Sequence, residues 1–350
     1  MENFFKKLGL DVVIPFLLIL LLFIFFVSYN QVFKRILVIH SYNTDYSWVK
    51  DVNKGLESVL KNADSIKIDY FYMDAKRHYQ EHVKEQSGIE ARRMIDRLKP
   101  DVVITCDDDA QSYVTTYYKN NPNLSFVFLG INAEPEDYGF DKANNITGIV
   151  ERLPLAGLNS TILEMAKSLN IQKPIRIGHI CGYSLTSKLD DDHIRQYKDW
   201  NQIILKPSQL PKTFSEWKRA ILDANNDLDF IIISNYRKIH RSRNDQTLVS
   251  ASEIMKWTVE NAKIPIIGLN SFVVEDGAPF AVSTSGVEQG RVAAIMALKI
   301  IQDNIPPVQL PVQKPEQFIV SMRPKIMEKF SMNLPDIYAA SARVSNTYFE

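Results

Sequence analysis

The chain has 350 residues, with 41 basic and 41 acidic side chains, so its formal net charge at pH 7 is zero. That balance argues against wholesale electrostatic binding to nucleic acid or to an anionic membrane surface. Its two cysteines, Cys106 and Cys181, are too few for a disulfide framework, and each ends an apolar run, so both are read as small buried side chains.

The first element is apolar. Lys6 and Lys7 precede an almost charge-free stretch, and residues 8–29, interrupted only by Asp11, reach the length of a bilayer-spanning helix. The segment that follows lacks small residues at a cut site and lacks a cysteine for lipid attachment. Residues 1–33 are therefore expected to be an uncleaved N-terminal transmembrane anchor, with Lys6 and Lys7 on the cytoplasmic side. Lys34 and Arg35 add charge on the far side and weigh against that orientation; a cleaved signal is the alternative. Either way, the remainder is expected at the periplasmic or extracellular face.

From residue 36 the chain alternates short apolar runs with longer helical patterns, which predicts parallel sheets with crossover helices. Residues 36–39 read as a buried strand. Trp48, Val49, Val52, Leu56, Val59 and Leu60 recur at helical spacing. Ile66, Ile68, Tyr70 and Tyr72 alternate as a strand. A helix over 80–98 ends at Lys99-Pro100. Strands follow at 101–105 and 126–129, with a short helix carrying Tyr113, Val114, Tyr117 and Tyr118 between them. Residues 145–150 read as extended and enter a second set of units: helices over 155–169, 189–200, 214–224 and 252–262, and strands at 175–180, 203–205, 230–233 and 266–269. Beyond these, 281–284 is extended, 287–301 is a helix with Gly286 and Gly290 near its start, 302–315 is proline-rich and extended, and 318–320 reads as one more strand.

The expected architecture is α/β: two doubly wound parallel-sheet lobes of about four strands each, joined by a hinge. The anchor takes 1–33. The first lobe takes 34–148, with about 280–305 returning to it, and the second takes 149–279. Residues 306–350 form an extended tail and a C-terminal helix that packs near the hinge and passes back to the first lobe.

Several segments carry a resemblance. They are Ile36-Leu37-Val38-Ile39-His40-Ser41-Tyr42 with Trp48; Tyr72-Met73-Asp74-Ala75-Lys76-Arg77; Pro100 to Ala110, including Thr105-Cys106-Asp107-Asp108-Asp109; Phe128-Leu129-Gly130-Ile131-Asn132; Asn145-Ile146-Thr147-Gly148-Ile149-Val150-Glu151; Gly290-Arg291-Val292-Ala293-Ala294; and Leu334-Pro335. In this order the chain resembles ABC-type substrate-binding proteins of the tryptophan/tyrosine-importer kind. The resemblance implies a type I periplasmic-binding fold that closes around a small ligand, an amino acid or similar small zwitterion. It also implies an ABC permease or a membrane sensor protein as partner. Similar modules occur fused to kinases or cyclic-nucleotide enzymes; no such fusion is expected in a chain that stops at Glu350, and the anchor departs from the usual importer component.

Ligands of open α/β sheets bind beyond the carboxyl ends of the strands. The loops there offer Ser41, Tyr42 and Trp48, then Asp107 and Asp108, then Asn132, the crossover Glu151, and in the second lobe Tyr183, Asn235, Tyr236 and Asn270. Aromatic walls with a few polar groups suit a small-ligand pocket. Each has a plainer reading. Asp107, Asp108 and Asp109 would also cap the next helix, Tyr42 and Trp48 would also be core, and Asp190, Asp191 and Asp192 read as surface capping. Arg237, Lys238, Arg241 and Arg243 read as a solvated rim.

Catalytic patterns are missing. His78 and His82 share helical spacing, but Glu81 does not make the metalloprotease arrangement. There is no G-x-S-x-G elbow, P-loop or G-x-G-x-x-G after the first strand, so no dinucleotide cofactor is expected; a magnesium or calcium site at Asp107, Asp108 and Asp109 is a third reading of that run, but no second acidic loop at ligand spacing supports it, and no metal is expected. An enzyme reading would rest on Asp108 with Glu151 as paired carboxylates.

Overall fold

The computed structural model describes residues 10–31, 33–61, 63 and 65–350. A helix, Leu10–Gln31, comes first, and its large apolar side chains from Ile14 to Phe26 are exposed. Among the described residues no helix is long and apolar enough to cross a membrane. The anchor expected over 1–33 is thus not shown, and residues 1–9 and 32 lie outside the described residues.

The first sheet contains β1 (Lys34–His40), β2 (Ile66–Tyr72), β3 (Val102–Cys106), β4 (Ser125–Ile131) and β5 (Ile146–Val150), in the order β2-β1-β3-β4-β5. All its pairings are parallel. The apolar runs follow from burial on both faces. Ile36 and Val38 point into one core layer with Val52, Leu56 and Met296, whereas Leu37 and Ile39 point into the other with Ile95 and Phe126.

The second sheet contains β6 (Ile175–Ile180), β7 (Ile203–Gln209), β8 (Phe230–Ile233), β9 (Ile266–Gly268), β10 (Phe280–Thr284) and β11 (Phe318–Met322), in the order β11-β10-β9-β8-β6-β7. Only β11 runs antiparallel to its neighbour. One continuous core serves this lobe, with Trp217, Phe230 and Phe280 among its largest fully buried side chains.

Among the described residues the sheets therefore have five and six strands, not about four each, and β5 is the fifth strand of the first sheet. Of the segment expected to return at about 280–305, β10 stays in the second sheet beside β9, and only the helix Gly286–Gln302 packs on the first lobe. The tail differs as well. Gln313 bonds to Gly148 and Val150 beside β5, but β11 and the helix Asp336–Val344 then join the second lobe, where Tyr338 meets Phe280.

Among the described residues the chain thus crosses between the sheets three times: after β5, after β10, and between Gln313 and β11. The crossings meet at one helical turn. Thr284 Oγ1 donates to the Arg152 carbonyl, and Ser285 Oγ caps Glu288 N. The buried Glu288 carboxylate accepts from the N–H groups of Glu316 and Gln317. Gln289 accepts from Gly130 N and donates to the Val150 carbonyl.

The returning helix lies backbone to backbone against Ser47–Leu60. A Cβ on Gly55 would run into the Val287 carbonyl, and one on Gly290 into the Val52 carbonyl. Because the obstacle is main chain, it cannot rotate away. Gly290→Val is expected to destabilise the protein by about 3 kcal/mol, the upper end of overpacking costs, read as a lowered urea midpoint at unchanged slope. A midpoint equal to that of the unsubstituted chain would contradict the close approach.

Candidate functional site

The strand ends of the first sheet set the site. Ser41, after β1, is fully buried; its Oγ donates to the Cys106 carbonyl and accepts from Ala110 N. It therefore fastens two loops together and offers nothing to a ligand. Tyr42 follows at the cleft, its ring meeting Tyr46 edge-on with centroids 5.4 Å apart. The Lys76 ammonium sits 4.4 Å from the centroid of Tyr42 and 4.0 Å from that of Tyr46, and donates to the Tyr46 hydroxyl at 2.6 Å.

After β3 the backbone turns through Asp107 at φ 68°, a left-handed conformation that Asp tolerates better than most residues. Asp107 is 2% exposed. Its Oδ1 accepts from Trp48 Nε1 at 2.8 Å, while its buried Oδ2 has no hydrogen-bond partner. Burial, and then repulsion by Glu151, push its carboxyl well above the usual range, with Lys76 opposing. Asp108 differs completely: it accepts from Asn132 N, Asn132 Nδ2, Ala133 N and the Tyr138 hydroxyl. Its oxygens are spent on holding the β4 loop.

Glu151 leaves β5 into the first crossing, and Asn132 Nδ2 bridges it to Asp108, at 3.4 Å and 3.2 Å. Burial pushes Glu151 up to about 8; Asp190 and Asp108 add repulsion, and Lys76 opposes it. Asp190 comes from the other lobe, on the helix Leu185–Gln196. It is 4% exposed, and burial raises its carboxyl to about 6 against the opposing pull of His179 and the Ser234 hydroxyl.

Behind Asp190 lies a buried network. His179 Nε2 meets Ser234 Oγ at 3.0 Å, and its Nδ1 meets Asp191 Oδ1 at 3.2 Å. Burial would raise Asp191, but hydrogen bonds from His179 and Arg195 hold it below the ordinary carboxylate range. The spacing is that of a Ser-His-Asp triad, yet Ser234 and His179 are fully buried. A hydroxyl with no access has no acyl group to attack, so the network holds the loops after β6 and β8.

The other second-lobe residues separate. Tyr236, expected as a cleft wall, is instead fully buried against Trp217 and Phe272 in the lobe core, and its hydroxyl donates to Asp276 at 2.6 Å. Arg237 is not a free rim cation, since it bonds to the same Asp276 oxygen at 3.0 Å and lies over Phe272. Tyr183 is exposed between the Lys188 and Lys212 ammoniums. Asn235 accepts from Arg237 N, and Asn270 donates to the Ser234 carbonyl; both are turn-forming residues.

The structure thus brings together Tyr42, Trp48, Asp107, Asp108, Asn132 and Glu151. Sequence reading missed Tyr46, Lys76 and Asp190. Asp190 and Asp191 are buried in mid-helix, not surface caps, and a run of three aspartates carries no sign of which one turns inward. Both cysteines are free and buried, and among the described residues no three His, Cys, Asp or Glu side chains group as a metal site. A hollow of about 840 Å³ lined by Glu164, Lys167, Lys173 and Asn201 opens at the amino ends of β6 and β7, the opposite end from ligand sites of doubly wound sheets.

The raised carboxyls fix a pH dependence. Glu151 sits at about 8 against an ordinary 4.5, and Asp190 at about 6 against 3.8. The folded chain therefore holds these protons more tightly than the unfolded chain. Their contribution is fully present below the ordinary values and is lost as pH rises through the folded ones. Glu151→Gln, which keeps the shape without the charge, should match the parent in melting temperature near about pH 4 and exceed it near about pH 8. Parallel curves across that range would overturn the assignment.

The ABC transporter substrate binding protein family matches residues 176–344. No curated protein matches the chain by sequence. A substrate binding protein with adhesive properties from Clostridium difficile, in a ligand-free, open structure, is 17% identical with a TM-score of 0.63 over 86% of this chain and 96% of that one. The ABC domain in complex with L-Trp from Streptococcus pneumonia is 14% identical with a TM-score of 0.60, over 88% and 98%. A conserved domain protein from Vibrio cholerae is 15% identical with a TM-score of 0.59, over 88% and 98%. At such identities these likenesses speak for the fold. The resemblance read from the sequence is borne out at the family level: the second lobe and C-terminal segment carry the pattern of the ABC transporter substrate binding proteins, on a two-lobed fold like that of the type I periplasmic binding proteins.

Proposed function

We propose that the chain is an extracytoplasmic solute-binding protein that closes its two lobes around a small ligand, for uptake through an ABC permease or for presentation to a membrane sensor. The observation that carries this is the bridging of Glu151, on the first crossing, to Asp108 of the first lobe through Asn132, near enough to Asp190 of the second lobe for the carboxyls to repel, at strand ends where such sheets bind ligands. Three crossings make a hinge, and a ligand that touches both lobes shifts the balance toward closure. The family resemblance implies an amino acid or a similar small zwitterion. The paired-carboxylate enzyme reading gains no support, because Asp108 is saturated by four donors.

The exposed apolar side chains from Ile14 to Phe26 support a further part of the reading, that the N-terminal helix holds the lobes at a membrane. The full chain should then sediment with membranes and keep its first residues by intact mass. A new N-terminus near Asn30 would refute this.

Closure is tested on the full chain with Gln80→Cys and Lys238→Cys, exposed positions beside the strand-end loops of the two lobes, labelled as a fluorescence-transfer pair. The native cysteines are buried and stay unlabelled. A solute at about a hundredfold excess over its Kd should stabilise by about 2.7 kcal/mol, and the same addition should change the transfer efficiency. Stabilisation with unchanged transfer would mean binding without hinge motion.

A further inference from the structure

The Lys76 ammonium has settled over two tyrosine rings, where its charge acts on both Asp107 and Glu151. Aromatic faces beside carboxylates are the surroundings that a cation selects. Next to it, Asp107 Oδ2 is buried with no hydrogen-bond partner on a side chain only 2% exposed. Buried polar atoms are seldom left unpaired without a purpose. The nearby arginines are engaged within the protein, apart from the Arg237 Nε, which is buried without a hydrogen-bond partner. Arg152 donates to the carbonyls of Ile131, Asn132 and Glu151 and to the Glu134 carboxylate, and Arg237 is committed to Asp276.

We propose that the cleft receives a ligand carrying a protonated amine and no carboxylate of its own, its ammonium donating to Asp107 Oδ2 beside Tyr42 and Tyr46, once the Lys76 ammonium that partly fills this place has swung away and uncovered it. The ligand class is then an arylalkylamine or a short alkyl polyamine. This rests on the reading of the cleft as a ligand site and narrows it. Lys76 decides between this class and a zwitterion. Against an amine the lysine is a competitor for the same box, whereas against an amino acid it is the natural partner of the ligand carboxylate.

The full chain, purified in mild detergent, is titrated by calorimetry with tyramine, putrescine, spermidine, L-tyrosine, L-tryptophan, D-ribose and succinate. The parent, Asp107→Asn and Lys76→Met are compared. Asn accepts the left-handed backbone at 107 as readily as Asp, and Lys76 is exposed, so both variants should fold, which thermal melting checks. The expected result is binding of an amine, whose ammonium draws the Asp107 carboxyl back to its ionised form, weakened at least about tenfold by Asp107→Asn, the scale of a lost charge-assisted hydrogen bond, and tightened by Lys76→Met. Binding only of ribose or succinate, or of an amino acid loosened by Lys76→Met, overturns the amine assignment and leaves the solute-binding reading standing. Should Asp107→Asn fail to melt cooperatively, the direction of the Lys76→Met change decides alone. Absence of binding in every class, with folded protein, overturns both.

Discussion

Glu288 and Gln289 hold the two lobes in register. One carboxylate receives the N–H groups of the third crossing, one amide spans the ends of β4 and β5, and the Thr284 hydroxyl reaches the first crossing. The side chains that make these bonds are buried, and an unmade buried bond costs far more than a made one gains. The crossings are therefore free to bend only on either side of this turn. A motion about such a fulcrum moves each lobe as a packed body, because close-packed interiors do not deform continuously. The Gly55–Gly290 contact serves the same end by fixing the helix that carries the turn to the first lobe.

The charge pattern of the cleft follows from where carboxylates find donors. Asp108 finds four and becomes structural. Asp191 finds His179 and Arg195 and stays ionised deep in the second lobe. Asp107, Glu151 and Asp190 find too few, and burial drives them toward the protonated form. The same residue types thus divide into supports and receivers by hydrogen-bond supply alone. The buried Ser234–His179–Asp191 arrangement belongs with the supports, since geometry without access performs no chemistry.

Most strands were legible because burial on both faces leaves a continuous apolar run, as at Ile36–Ile39 and Phe230–Ile233. The helix expected over 189–200 instead spans Leu185–Gln196. Ser184 caps it through Ser187 N and sets an earlier start, and Tyr197 and Trp200 pack on each other beyond its end. Their apolar spacing mimicked one more helical turn. β10 was misassigned because strand order is a tertiary fact that no local pattern encodes. At the site, Tyr42, Asp107 and Glu151 were legible from their positions after apolar runs. Lys76 was not, since its place over Tyr42 and Tyr46 depends on loops 30 residues apart in sequence. Tyr236 misled for the opposite reason: it follows a strand, but its ring turns back into the core.

The first strand begins at Lys34, three positions after the helix Leu10–Gln31 ends. Two intervening residues span at most roughly 10 Å, so that helix and the first sheet share a very short leash. If that helix is held at a membrane, as proposed above, the first lobe is held with it as a stator. The second lobe, which carries the C-terminal helix and the helix that holds Asp190, then becomes the rotor. Any protein that reads whether the cleft is shut gains most of its signal from the rotor's outer face, because that is the surface whose position in space the ligand changes.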